Sequence, residues 1–206
     1  MTEAKWEKMP DDSKINEAAA ALKMNGFEVI LFENKEQALT CLKMLIPKGS
    51  EVMVGGSATL EEIGFSEYLA KGNHGWINLH AETCKECDEA KRAEARRKTV
   101  TAEYFVGGIN AITIRGALVA CDMSGSRVGA YPYAAKNLIV VSGTNKLTND
   151  LHEAFARVRE HAYPLTNQLT TKKFGFTCGM AKWVILEKET IEGRTTVILV
   201  KEKLGF

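Results

Sequence analysis

The sequence predicts an α/β domain: a mostly parallel sheet flanked by helices, with β-hairpins at its edges. Three observations predict it. Apolar runs of strand length alternate with amphipathic stretches at helical spacing over most of the 206 residues. The run Leu138-Ile139-Val140-Val141 has no polar alternate, as a strand covered on both faces requires. Glycine- and serine-containing segments follow several strands, at the end of the sheet where open α/β folds keep their ligand sites.

Along the chain, Ile15, Ala18, Ala19 and Leu22 recur at helical spacing, and Gly26 ends that helix. Residues 27–32 form a β-type run. Asn34 with Gln37 caps a helix carrying Ala38, Leu39, Leu42, Leu45 and Ile46, which Pro47 and Gly49 terminate. A strand over 51–54, a helix over 60–71 and a strand over 76–79 follow. Residues 87–98 form a charged helix whose Arg96, Arg97 and Lys98 suit the negative end of the helix dipole.

After a strand at 104–106, segments 111–113 and 117–121 flank Arg115-Gly116, a hairpin turn. A short helix over 127–135 leads into the strand 138–141. Leu151, Ala154, Phe155, Val158 and Ala162 mark an amphipathic helix, with His152 and His161 off its apolar stripe and so at the surface. Strands at 183–187 and 196–200 close the chain, joined at Glu192-Gly193. Residues 1–206 thus read as one domain, with a helical segment over 1–26 and a β-hairpin over 182–206.

Hydrophobic residues make up 45% and charged residues 26%, enough for a full core. With 27 basic and 26 acidic side chains, no overall charge draws the chain to nucleic acid or a membrane surface. The apolar runs are too short for a membrane span, and the first residues carry no secretory signal. Five scattered cysteines make no disulfide framework, so a cytoplasmic location is expected.

Two segments carry the candidate site. In the first, Gly55, Gly56 and Ser57 follow a strand and precede a helix, so a ligand can approach the backbone closely. Thr59 with Glu62 matches a capping box, and Glu61 and Glu62 would repel a phosphate there. A plain capped turn accounts for the same residues. In the second, Asp122 leads into Ser124, Gly125, Ser126 and Arg127, a set suited to a carboxylate or phosphate.

Asn110 after one strand and Asn145 with Lys146 after another add polar groups at the same sheet end. Asp122 and Asn110 are the candidate catalytic or orienting residues. The competing readings are a turn cap for Asp122, a surface ion pair for Arg127 and a solvated Lys146.

His80-x3-Cys84-x2-Cys87 is the nearest approach to metal-ligand spacing, but a zinc site needs a fourth ligand, and no metal site is expected. There is no C-x2-C-x2-C-x3-C-P run, so the chain is not expected to hold a ferredoxin-type cluster. Cys121 reads as packing before it reads as a nucleophile, and Tyr131, Pro132 and Tyr133 as core or pocket wall.

The series Gly55-Gly56-Ser57-Ala58-Thr59-Leu60, Gly108-Ile109-Asn110-Ala111-Ile112-Thr113, Gly125-Ser126-Arg127-Val128-Gly129-Ala130 and residues 136–146 resembles the LUD-domain family of lactate-utilisation proteins, as do residues 200–206. The resemblance implies a fold related to ribose-5-phosphate isomerase, glucosamine-6-phosphate deaminase and CoA transferases. It implies a link to the oxidation of lactate to pyruvate, with any iron–sulfur cluster or flavin held by partner subunits. It carries over no catalytic residues.

Related isomerases use a carboxylate near the position of Asn110. An amide is no general base, so aldose–ketose isomerisation is not expected. The expected ligand is a small organic, phosphorylated or CoA-like anion. The alternatives are a non-catalytic assembly or regulatory subunit, alone or oligomeric, and an enzyme acting on another anionic metabolite.

Overall fold

The structure is a computed structural model in which residues 3–206 are described. Among the described residues, ten strands form two sheets. They are β1 (Glu28–Phe32), β2 (Glu51–Val54), β3 (Ile77–Asn78), β4 (Tyr104–Gly108), β5 (Ala111–Thr113), β6 (Leu118–Asp122), β7 (Asn137–Gly143), β8 (Leu147–Thr148), β9 (Lys182–Leu186) and β10 (Thr195–Val200). The larger sheet has the order β1-β10-β7-β4-β2-β3 and is parallel throughout. The smaller has the order β8-β5-β6-β9 and contains the β5–β6 hairpin predicted around Arg115-Gly116.

The side chains of β7 and β10 explain the layering. Leu138, Val140, Val197 and Leu199 point into one core, shared with Ile112, Leu118 and Ala120 of the smaller sheet. Their alternates Ile139, Val141, Ile198 and Val200 point into a second core. Strand periodicity of two sends successive residues to opposite faces, so a central strand feeding two cores must be apolar at every position.

The helices are α1 (Glu3–Trp6), α2 (Asp12–Met24), α3 (Lys35–Leu45), α4 (Ala58–Glu62), α5 (Phe65–Lys71), α6 (Leu79–Lys85), α7 (Glu89–Lys98), α8 (Ser126–Gly129), α9 (Leu151–Arg157) and α10 (Tyr163–Phe174). Ala38 and Leu42 of α3, Leu60 of α4, and Phe65 and Leu69 of α5 fill the second core. Leu22 of α2 enters the first. The Asn34 cap is present: its side chain accepts from Gln37 N at 3.0 Å while Gln37 Oε1 accepts from Glu33 N at 3.0 Å.

Three sequence expectations need correction. Residues 182–206 are not a hairpin: β9 pairs with β6 in the smaller sheet, and β10 lies between β1 and β7 in the larger one. Val197, Ile198, Leu199 and Val200 are all fully buried, which an edge hairpin open to water on one face cannot provide. The connection is held instead by Arg194, which donates to Ala135 O at 3.2 Å, Tyr131 O at 3.0 Å and Glu189 Oε2 at 2.8 Å.

The helix expected over 60–71 is two helices, broken at Gly64 with φ +78°. The helix expected over 127–135 is present as α8 continuing into a π-helix over Ala130–Ala134. Finally, His161 is buried, not at the surface. The helix widens over 158–162, which rotates the following residues off the regular period. His152 is exposed as expected.

Candidate active site at the strand ends

Four strand-end segments converge. The loops after β2, β4, β6 and β7 meet at a cavity of about 480 Å³, closed on the far side by α10, residues 174–180 and Phe206. Of the residues singled out from the sequence, Gly55, Gly56, Ser57, Asn110, Asp122, Ser124, Ser126, Arg127 and Lys146 line it. Gly125 and Asn145 do not. Gly125 precedes α8 with φ +91°. Asn145 is buried and fastens the end of the chain, donating to Gly205 O at 3.3 Å and accepting from Leu204 N at 3.1 Å.

The loop at Ser57 closes down against Arg127. A Cβ on Gly55 would stand 3.0 Å from Arg127 Cδ, so only glycine leaves the arginine in place. The predicted capping box is not formed. Ser57 is the cap, accepting from Leu60 N at 3.3 Å. Thr59 is buried and bonds elsewhere, and Glu62 accepts from Gly205 N at 2.7 Å. Glu61 is paired with Lys173 at 2.6 Å. Both carboxylates thus have cationic or N–H partners, which softens the repulsion toward an anion.

Arg127 is the keystone of the two loops. Its Nε donates to Asp122 Oδ1 at 2.9 Å, and its terminal nitrogens donate to Gly108 O, Asn110 Oδ1 and Cys121 O at 3.0, 3.1 and 2.7 Å. Asp122 Oδ2 accepts from the backbone N–H groups of Arg127 and Val128. Asn110 Oδ1 also accepts from Cys121 N at 2.9 Å. This differs from the expectation that Arg127, Asp122 and Asn110 hold the ligand themselves. Their polar atoms hold one another, and they shape the wall.

Lys146 sits on the floor with 3% of its surface exposed. Its Nζ donates to Thr59 Oγ1 at 2.8 Å and to Ile109 O at 3.1 Å, while Thr59 Oγ1 donates to Leu204 O at 3.3 Å. No carboxylate pairs with it among the described residues. An ammonium has three N–H donors and a neutral amine two. The two acceptors match the neutral amine. Burial first, then the charges of Arg157 and Arg127, hold the Lys146 amine well below the usual lysine range.

Arg157, fully buried, donates to Asn110 O. Its Nε and second terminal nitrogen have no hydrogen-bond partner among the described residues. Asp122 thus meets the Arg127 charge, while the Arg157 charge, behind the cavity, has no ion-pair partner among the described residues. An anion is the ligand charge that balances it.

Ser124 and Ser126 place their hydroxyls 3.2 Å apart at the open side. Burial pushes the Cys121 thiol up to about 11, so it stays protonated at neutral pH and is a poor nucleophile. Tyr131 is core, edge-on to Phe105, and donates to Gly108 O at 2.6 Å. His80 Nε2 lies 3.7 Å from Cys84 Sγ, while Cys87 Sγ turns to Lys85 O. No group of three potential metal ligands occurs among the described residues. Nor, among them, is any helix long and apolar enough to cross a membrane.

The sequence reading missed the far wall: Tyr163, Thr166, Thr170, Lys173 and Phe174 of α10, with Phe176 and Phe206. None of the 12 residues of α10 is buried, so no apolar stripe announces that helix.

The sequence pattern of the LUD domain matches residues 15–200. No curated protein matches the chain. Among solved structures, a DUF162 family protein from Deinococcus radiodurans is similar at a TM-score of 0.56 and 10% identity, covering 94% of this chain and 99% of that one. Ribose 5-phosphate isomerase from Plasmodium falciparum is more distant, at a TM-score of 0.35 and 15% identity over 56% of this chain and 52% of its own. A D-ribose-5-phosphate isomerase in complex with phospho-erythronic acid gives a TM-score of 0.41 and 12% identity, covering 82% and 95%. With the family pattern spanning nearly its whole length, the chain belongs to the LUD-domain family.

Proposed function

We propose that this LUD-domain protein binds a small organic anion in the strand-end cavity and serves the oxidation of lactate to pyruvate. The observation that carries the binding site is its cationic lining: the buried Lys146 amine, and behind it the buried Arg157 guanidinium with no carboxylate partner among the described residues, beneath an open wall of serines. The lactate connection comes from the family. A cavity of about 480 Å³ suits a compact metabolite. The electron carriers of such an oxidation, iron–sulfur or flavin, are assigned to partner subunits.

Thermal unfolding against lactate, pyruvate, sugar phosphates and CoA tests this reading. A ligand at about 100 times its dissociation constant adds roughly 2.7 kcal/mol to the folded state. Lactate or pyruvate is expected to raise the melting temperature of the wild type, and the rise is expected to shrink in Ser124→Ala/Ser126→Ala. A protein indifferent to every one of these compounds is not a small-anion binder, and the search moves to assembly with partner subunits.

A further inference from the structure

We propose that the Lys146 amine condenses with the carbonyl of a 2-oxo carboxylate held in this cavity, forming an imine. The inference rests on the anion-binding reading above and names its substrate class. Its first support is geometry. Lys146 lines the cavity, is otherwise buried, and uses its two N–H bonds on Thr59 Oγ1 and Ile109 O. What remains on a neutral amine nitrogen is its lone pair, which is what attacks a carbonyl carbon.

The second support is electrostatic. Burial first, then the charges of Arg157 and Arg127, lower the Lys146 amine, and those same charges favour a carboxylate beside it. A lone pair at nitrogen next to a carboxylate-binding field selects a carbonyl adjacent to a carboxylate. The third is the chemistry of the neighbours. Cys121 is protonated, Asp122 is tied to Arg127, and Tyr131 donates to Gly108 O, so of these four groups Lys146 is the one suited to attack a carbonyl.

The step balances without any oxidant or reductant. Nitrogen bonds to the carbonyl carbon, whose oxygen takes the proton that nitrogen loses, giving a carbinolamine. That hydroxyl takes the second N–H proton and leaves as water as the C=N bond forms, giving a neutral imine. Hydration reverses it. A proton taken from solvent water gives the protonated imine, whose single N–H Thr59 Oγ1 or Ile109 O is placed to accept.

Borohydride trapping tests the proposal. The protein is incubated with pyruvate, reduced with sodium borohydride, and read by intact mass and peptide mapping. One carboxyethyl group on Lys146 is expected, exceeding the labelling of any surface lysine by about tenfold or more, since those amines are protonated at neutral pH. Acetone, which lacks the carboxylate, is expected to label it far less.

Lys146→Arg and Lys146→Met are expected to abolish the adduct. If neither variant folds, the mapped position in the wild type decides alone. Labelling spread evenly over the lysines, or none at Lys146, overturns the imine. Lactate has no carbonyl, so a thermal shift by lactate together with no trapping sinks the imine and leaves the anion site standing. Neither shift nor trapping sinks both.

Discussion

Arg127→Ala is expected to cost about 3–5 kcal/mol of folding stability with no ligand present, the usual price of stranding one partner of a buried ion pair. The reason lies in the four acceptors its guanidinium serves. Removing it leaves Asp122 with two backbone N–H partners and no counter-charge in a site where both side chains are about one-eighth exposed. It also strips the carbonyl of Cys121 and half the bonding of Asn110 Oδ1. The loops at Gly55 and Ser124 then lose the side chain that lies between them.

Arg127→Lys is expected to recover little, since a point-like ammonium cannot span four acceptors in a fork. Urea unfolding at neutral pH measures the effect. A variant within about 0.5 kcal/mol of the wild type, the range of ordinary surface substitutions, would show that Arg127 is dispensable to the fold and return it to the role of a ligand-binding residue.

Lys146→Met is expected to change how stability depends on pH. The folded amine titrates well below its unfolded value of 10.5. Between those two pH values the unfolded chain binds one proton more than the folded chain. Stability of the wild type therefore rises with pH across that window, by up to about 1.4 kcal/mol per pH unit from this group. Below the folded pKa both states are protonated and the burial cost is felt in full. Methionine has nothing to titrate, so the wild type gains stability relative to the variant as pH rises toward 10.5. Two orphaned acceptors, Thr59 Oγ1 and Ile109 O, work against the variant at every pH and leave this trend unchanged. Stability curves that run parallel from neutral to alkaline pH would mean that Lys146 titrates like a surface lysine.

The parts of the molecule legible in the sequence are those where one physical rule dominates. The unbroken apolar run at 138–141 announces a central strand because both its faces are dry. Asn34 with Gln37 announces a cap because the local bonds suffice to form it. Where a longer-range partner competes, local reading fails. Thr59 and Glu62 have the spacing of a capping box, but their side chains bond to Lys146, Leu204 and Gly205, contributed by a distant strand end and the tail.

Residues 182–206 read as a hairpin because a Glu-Gly turn separates two strand-like runs. The second run is too apolar for an edge and inserts between β1 and β7. The site was legible as a set of strand-end loops, since glycine and serine mark them. Its division of labour was not. Nothing local distinguishes an arginine that holds loops together from one that holds a ligand, or a lysine at the end of Thr-Asn-Lys that is solvated from one that is buried.

The depressed titration of the Lys146 amine beside the anion site can be watched directly. Lysine side chains labelled with carbon-13 at Cε report the charge of each amine by nuclear magnetic resonance as pH is raised. One resonance, missing from Lys146→Met, is expected to titrate well below the other lysines and to move when lactate or pyruvate is added. A spectrum in which every lysine titrates together near 10.5, unmoved by either compound, would show that Lys146 is neither depressed nor beside a bound anion.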